Sequence, residues 1–240
     1  MQLANYKRIG GQYHFSDADW RRLLDTVLFL LAKSGSVDEA ALIKPTNAAN
    51  NLAGDLLEHS HTGGVLLLYS SLERFLVAIA KKGEAGRIFV RRLFKVIQAD
   101  STRTASLGPE ELIRLTDLQI ASLVWHLQMD AYLRLIERFP KADIRTLDCE
   151  TFLAQPEEML AKLCDLFTIN AETGILRRIV SSPVFRKHSK YDKQDFDSAL
   201  RQIEYEQVMR QHGADIAEIV NWSDGIRPEG RLRLPLSQAL

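Results

Sequence analysis

Three short segments that have the character of buried strands constrain this fold more than any other feature. They span residues 40–44 (AALIK), 64–70 (GVLLLYS) and 143–148 (DIRTLD). Pro45 disfavours the helical conformation at Lys44 and so ends the first segment. Apolar strands that alternate with helices are typical of a parallel sheet covered by helices on both faces. The sequence therefore predicts an α/β fold with three parallel strands.

Helical periodicity fills most of the remaining chain. Ser16 is a suitable N-cap for a helix in which Trp20, Leu24 and Leu28 recur at helical spacing, and the block 110–138 is apolar on most sides. Because the chain has 240 residues and no internal repeat, we expect a single domain over residues 1–222. The Pro- and Gly-punctuated residues 223–240 are expected to form a disordered tail.

The charge balance and hydropathy exclude several classes of partner. Lys plus Arg equals Asp plus Glu at 31 each, so the chain has no net charge that would favour nucleic acid or an anionic membrane. No apolar run reaches the about 18 residues that a membrane span needs, and the N-terminus does not resemble a secretory signal. We expect a cytoplasmic protein that binds neither nucleic acid nor membrane; homo-oligomerisation stays open.

The two cysteines, Cys149 and Cys164, do not have the spacing of a metal site. A small apolar thiol suits a strand or helix interior, so both are predicted to be reduced structural residues. The sequence also contains no GxxxxGK[ST], GxGxxG or HExxH motif. No metal cofactor is expected.

Three residues lie where a parallel sheet binds ligands, at or beyond the carboxyl ends of its strands. Lys44 ends the first predicted strand before a polar helix start, a position that suits an anionic ligand; the alternative is a lysine that only reaches solvent. Ser70 and Ser71 follow the second strand. Their hydroxyls could contact a phosphate, although an N-cap role for Ser71 is the simpler interpretation.

A basic segment after Pro183 offers further cations. Arg186, Lys187 and Lys190 lie close together in VFRKHSKYDK, which is predicted to be a loop. Guanidinium and ammonium groups form charge-assisted hydrogen bonds to phosphate oxygens, so the loop could hold a polyanion. The alternative is an ordinary solvated basic loop.

Together these segments resemble the sulfotransferase family. The resemblance rests on ALIKPTNAANNLAGDLL, GVLLLYSSLERFLVAIAKKG, IRTLDCETFLAQPEEMLAKLCDLF and VFRKHSK, in that order, over residues 40–222. It implies a three-layer, P-loop NTPase-like parallel sheet flanked by helices. It also implies transfer of a sulfonate from 3′-phosphoadenosine-5′-phosphosulfate to a hydroxyl or amine of a small molecule or carbohydrate. Lys44 would be the catalytic residue, and Ser70, Arg186, Lys187 and Lys190 would hold the nucleotide.

The chain also departs from the family pattern. The family's N-terminal strand and glycine-rich phosphosulfate loop are not expected here, and Thr46 stands where many members have a histidine base. Ser70 and Ala78 occupy the positions of an arginine and a serine that bind the 3′-phosphate in the family. The expectation is therefore either a shortened enzyme or a non-catalytic binding or scaffold protein.

Overall fold

A computed structural model describes residues 2–10, 15–33, 41–58, 63–101, 107–188, 191–195, 198–226 and 232–240. Within these ranges the helices are α1 (Gln2–Gly10), α2 (Asp17–Leu31), α3 (Ala53–Glu58), α4 (Leu72–Lys81), α5 (Gly83–Gln98), α6 (Pro109–Arg114), α7 (Asp117–Arg138), α8 (Cys149–Ala154), α9 (Pro156–Leu166), α10 (Thr173–Ser181) and α11 (Ser198–Ile226). Two 3₁₀ turns span Asn47–Leu52 and Pro183–Arg186.

Two strands form a parallel pair. These are β1 (Val65–Tyr69) and β2 (Ile144–Asp148), which run in register from the Val65–Ile144 pair to the Tyr69–Asp148 pair. Leu67 and Ile144 are buried against Ile136 of α7 on one face of the pair. The second and third predicted strands are thus confirmed as parallel strands, and they pair directly with each other.

The predicted three-layer parallel sheet is wrong. In the described part of the chain the parallel sheet has two strands, and the other pairing is the antiparallel β3 (Lys187–His188) with β4 (Tyr191–Asp195). Helices supply most of the structure. The first predicted strand is the main reason, because residues 41–46 form no strand and Leu42 is 68% exposed. A short apolar run becomes a strand only when it has a hydrogen-bonding neighbour and a face to bury.

The hydrophobic core lies mainly between helices. Helices α4, α5, α7 and α11 pack together around Leu76, Val90, Val124 and Ile216, which are all fully or almost fully buried. Helix α7 contacts these helices near its start and the parallel strands near its end, through Ile136. Burial on both sides explains why its sequence is apolar on most faces.

The C-terminal residues 232–240 pack against β2, so the predicted disorder is wrong for this part of the tail. The Thr146 N–H donates to the Gln238 carbonyl (2.9 Å) and the Leu240 N–H donates to the Thr146 carbonyl (3.1 Å), around a parallel bridge between Thr146 and Ala239. Leu236 is only 2% exposed. A free edge of β2 and an apolar niche for Leu236 together order this segment, in which Leu232, Leu234 and Leu236 alternate with Arg233 and Pro235.

Candidate anion-binding site at the carboxyl ends of the parallel strands

The in-register pairing of β1 and β2 brings two helix starts to one edge of the sheet. After β1, the Ser71 hydroxyl accepts from the Arg74 N–H (3.3 Å), which confirms Ser71 as the N-cap of α4. After β2, Asp148 caps α8 by accepting from the Thr151 N–H (3.4 Å). Because strand and helix follow each other without a loop, the residues at both junctions are fixed in position.

Ser70 lies at the first of these junctions. It is half-buried, and its carbonyl accepts a 2.8 Å hydrogen bond from the indole N–H of Trp125 in α7. Trp125 is itself buried in the helical core. The predicted nucleotide-binding residue is therefore held by its backbone to the most buried helix of the protein.

Two arginines converge on Glu150, in the first turn of α8. Arg201 of α11 donates to both carboxylate oxygens, with 3.0 Å between Nη1 and Oε2. Arg74 of α4 approaches the same carboxylate, with 3.6 Å between Nε and Oε2. The Arg74 guanidinium also lies 3.8 Å from the centre of the Tyr205 ring. Bidentate and stacked contacts use the planar shape of guanidinium, which lysine does not have.

These contacts shift the pKa values of the charged groups. Hydrogen bonding by Arg201 lowers the pKa of Glu150 below its ordinary value, and the same bond raises the pKa of Arg201. Both groups are therefore charged at neutral pH. Burial raises the pKa of the neighbouring Asp148, and the charge of Glu150 adds to that rise.

Cys149 lies between these two carboxylates. Burial raises the pKa of its thiol to about 11, and the negative charges of Asp148 and Glu150 contribute to the rise. The thiolate is the nucleophilic form of cysteine, so a raised pKa slows the reactions of Cys149. This agrees with its predicted structural role.

The segment that precedes the predicted basic residues contacts helix α8 through an aromatic pair. The rings of Phe152 in α8 and Phe185 in the second 3₁₀ turn are stacked, with centroids 6.1 Å apart. Arg186 ends that turn and Lys187 begins β3, so this part of the predicted loop is regular structure. Lys190 lies outside the described residues. Arg186 and Lys187 are thus the first and second residues after Phe185, which contacts α8.

Lys44 is not brought into the network. It is exposed in the irregular segment 41–46, which pairs with neither β1 nor β2. The position predicted from sequence required Lys44 to end a strand of the same sheet. That requirement fails together with the first predicted strand.

Sequence reasoning singled out neither Arg201 nor Glu150 as a candidate site residue. A signal was present, because Arg201 and Tyr205 are four residues apart in α11 and so share one helix face. That spacing does not identify what the face contacts. Only the packing of α11 against α4 places Arg201 beside α8.

Comparisons with known proteins add no relative. No family model, curated protein or solved structure matches the chain. Among the residues that the structure describes, no helix is long and apolar enough to span a membrane. In the same ranges, no group of three or more His, Cys, Asp or Glu residues could hold a metal ion.

Proposed function

We propose that the protein binds a ligand carrying a phosphate or sulfonate group at the carboxyl ends of β1 and β2. The observation that supports this is the convergence of Arg74 and Arg201 on one carboxylate beside the start of α4. Two guanidinium groups around an anion are the arrangement by which proteins recognise phosphate, and a helix start adds N–H donors.

In this arrangement Glu150 is an internal anion that holds the arginines in place without ligand. The Glu150 carboxylate neutralises one of the two guanidinium groups, and Asp148 acts on Arg201 as a second negative charge. A phosphate or sulfonate would therefore bind by replacing the Glu150 contacts to the arginines. The arginines are oriented in advance, which lowers the entropy lost on binding.

The sulfotransferase resemblance suggests which ligand carries the anionic group. It implies a 3′-phosphoadenosine nucleotide, held by Ser70 and by the basic residues Arg186, Lys187 and Lys190. The stacked Phe152 and Phe185 rings support a contribution from Arg186 and Lys187, since they connect the basic segment to α8. We therefore propose 3′-phosphoadenosine-5′-phosphate and its phosphosulfate as the ligands.

We propose binding without sulfonate transfer. Transfer requires donors that are fixed around the reacting group, and Lys44, the implied catalytic residue, lies in a segment that no strand pairing fixes. The protein would then be a binding or scaffold relative of the sulfotransferases. Release of sulfate or sulfonation of a phenol, amine or carbohydrate by the purified protein would contradict this part.

Calorimetry with 3′-phosphoadenosine-5′-phosphate tests the site. We expect a Kd of about 1 mM, or about −4 kcal/mol, that weakens as salt is raised. Glu150→Gln should tighten binding, because it removes the internal competitor. Arg186→Ala with Lys190→Ala should remove most of the signal. Arg92→Ala, an exposed arginine of α5, is the matched control and should change nothing.

Two outcomes would contradict the proposal. The first is that Glu150→Gln weakens binding, since this would make the carboxylate a ligand contact. The second is that binding changes neither with salt, nor with Glu150→Gln, nor with the combined Arg186→Ala and Lys190→Ala substitution.

A further inference from the structure

A second site, separate from the strand ends, is a cavity of about 260 Å³ beside α7. Its wall comes from α1, the 3₁₀ turn Asn47–Leu52, the end of α5 and the middle of α7. Nine of the twelve residues that line the cavity have polar side chains. Its volume is slightly below the range of about 300–1,000 Å³ typical of drug-sized ligands, so a small metabolite fits better than a nucleotide.

Two ion pairs hold the α1 side of the cavity. Lys7 pairs with Asp55 (2.6 Å), and Arg8 donates through Nε to Asp100 (2.8 Å). Arg8 also donates to the Ala48 carbonyl (2.7 Å). These cations are therefore already neutralised by protein carboxylates, and their role in the site is to hold α1 against its neighbours.

Gln128 of α7 is the residue that points to a ligand. It lines the cavity, is 8% exposed, and its side-chain amide nitrogen is buried without a hydrogen-bond partner in the described part of the chain. The side-chain oxygen of Asn51, in the 3₁₀ turn that also lines the cavity, is buried and unpartnered in the same way. Buried polar groups are normally paired, so an unpaired donor and an unpaired acceptor facing one cavity need an explanation.

Arg134 supplies a charge to the same cavity. Gln128, Ala131 and Arg134 recur every three residues on one face of α7, and the small Ala131 leaves space between the two longer side chains. Among the described residues no carboxylate pairs with Arg134, in contrast to Lys7 and Arg8. Among the described residues the cavity thus has one cation without a carboxylate partner, two unpartnered amide nitrogens, those of Gln128 and Asn50, and one unpartnered acceptor, the Asn51 oxygen.

We infer that this cavity binds a small carboxylic acid that carries a hydroxyl or amino substituent. The carboxylate would accept hydrogen bonds from Arg134 and from the Gln128 amide, and the substituent would donate to the Asn51 oxygen. The groups of Arg134, Gln128 and Asn51 then each have a partner of matching sign, and the Asn50 amide is a further donor available to the carboxylate. The inference is independent of the nucleotide proposal, because this cavity and the proposed nucleotide site have no residue in common.

Three probes of nearly equal size separate the parts of the inference. The first is 3-hydroxybutyrate, which has both the charge and the donor. Butyrate lacks the hydroxyl, and 3-hydroxybutyramide lacks the charge. Titration followed by calorimetry and by saturation-transfer NMR should give a Kd of about 1 mM for 3-hydroxybutyrate, and affinities at least about fivefold weaker for the other two.

Substitutions locate the binding. Gln128→Leu should weaken 3-hydroxybutyrate about tenfold, and Arg134→Met by at least as much, because hydrogen bonds to a charged ligand are lost. Matched controls are Gln202→Leu and Arg92→Met, which change the same residue types on exposed helix faces and should leave binding unchanged. Circular dichroism melts confirm that each variant is folded.

Several results would overturn the inference. The first is that 3-hydroxybutyrate shows no saturable binding up to about 50 mM, which is more than tenfold above the expected Kd. The second is that all three probes bind equally well. The third is that the folded Gln128→Leu and Arg134→Met variants bind 3-hydroxybutyrate as the wild type does. Failure here would leave the nucleotide proposal untouched, because that proposal is tested with a different ligand and different variants.

Discussion

The backbone N–H of Leu236 donates a 3.1 Å hydrogen bond to the hydroxyl of Tyr69, the last residue of β1. The two residues are 167 positions apart in the chain. Both are buried in the helical core. The C-terminal segment therefore completes the environment of the strand end that carries the candidate site.

Leu236→Ala should destabilise the protein by about 2–5 kcal/mol, the usual cost of truncating a buried leucine. Leu234→Ala is the matched control, because Leu234 is 42% exposed and two residues away. Its effect should be below about 1 kcal/mol. Urea denaturation followed by circular dichroism measures both. Equal effects would mean that residues 232–240 are not anchored through Leu236.

Cys149 should react slowly with thiol reagents. Its pKa of about 11, raised first by burial, leaves roughly a hundredfold less thiolate at pH 8 than the ordinary value of 9.0. The Cys164→Ser variant makes Cys149 the single thiol, so its rate with Ellman's reagent can be compared with that of a free cysteine peptide. The roughly hundredfold lower thiolate fraction should slow the reaction by a similar factor. A rate within about threefold of the peptide rate would therefore contradict the burial of this thiol.

Glu150 should contribute stability that depends on pH. Its pKa is lowered by Arg201, so the contribution is present above the ordinary glutamate pKa and is lost as pH falls through the folded-state value. Comparing wild type with Glu150→Gln, we expect a difference of about 1 kcal/mol at pH 7, since the pair is partly solvated. That difference should shrink below about pH 4.5.

The matched control is Glu158→Gln. Glu158 is more exposed and pairs with Lys162 one helical turn away (3.0 Å). Such pairs contribute about 0.3–0.5 kcal/mol. If the stability difference between wild type and Glu158→Gln depends on pH as strongly as that for Glu150→Gln, the Arg201 contact contributes no more than an exposed ion pair.

Gln128→Leu should make the ligand-free protein more stable, by about 1–3 kcal/mol, because it removes a buried amide that lacks a partner. A residue that lowers stability and binds ligand is the usual compromise at a binding site. Thermal unfolding without ligand measures this, with Gln202→Leu as the exposed control. A destabilised Gln128→Leu variant would mean that the amide already has a partner.

Some features of this protein could be predicted from sequence because neighbouring residues determine them. Ser16 and Ser71 cap α2 and α4 through hydroxyl contacts three residues along the chain, and the apolar runs of β1 and β2 give two of the three predicted strands. Hydrogen bonds between residues close in sequence form at little cost in chain entropy, so short motifs predict them well.

The other features depend on which distant segments meet, and only the tertiary structure decides that. Residues 41–46 have the composition of a strand but find no neighbour, whereas residues 232–240, a short leucine alternation interrupted by Pro235, pair with Thr146 on the free edge of β2. In the same way, Glu150 gains two arginines from helices α4 and α11, and Gln128 faces a cavity closed by α1. The sequence by itself determined the local helix starts and the two parallel strands. Packing decided the size of the sheet, the order of the tail and both candidate sites, because a partner far along the chain leaves no mark on the residues that it will contact.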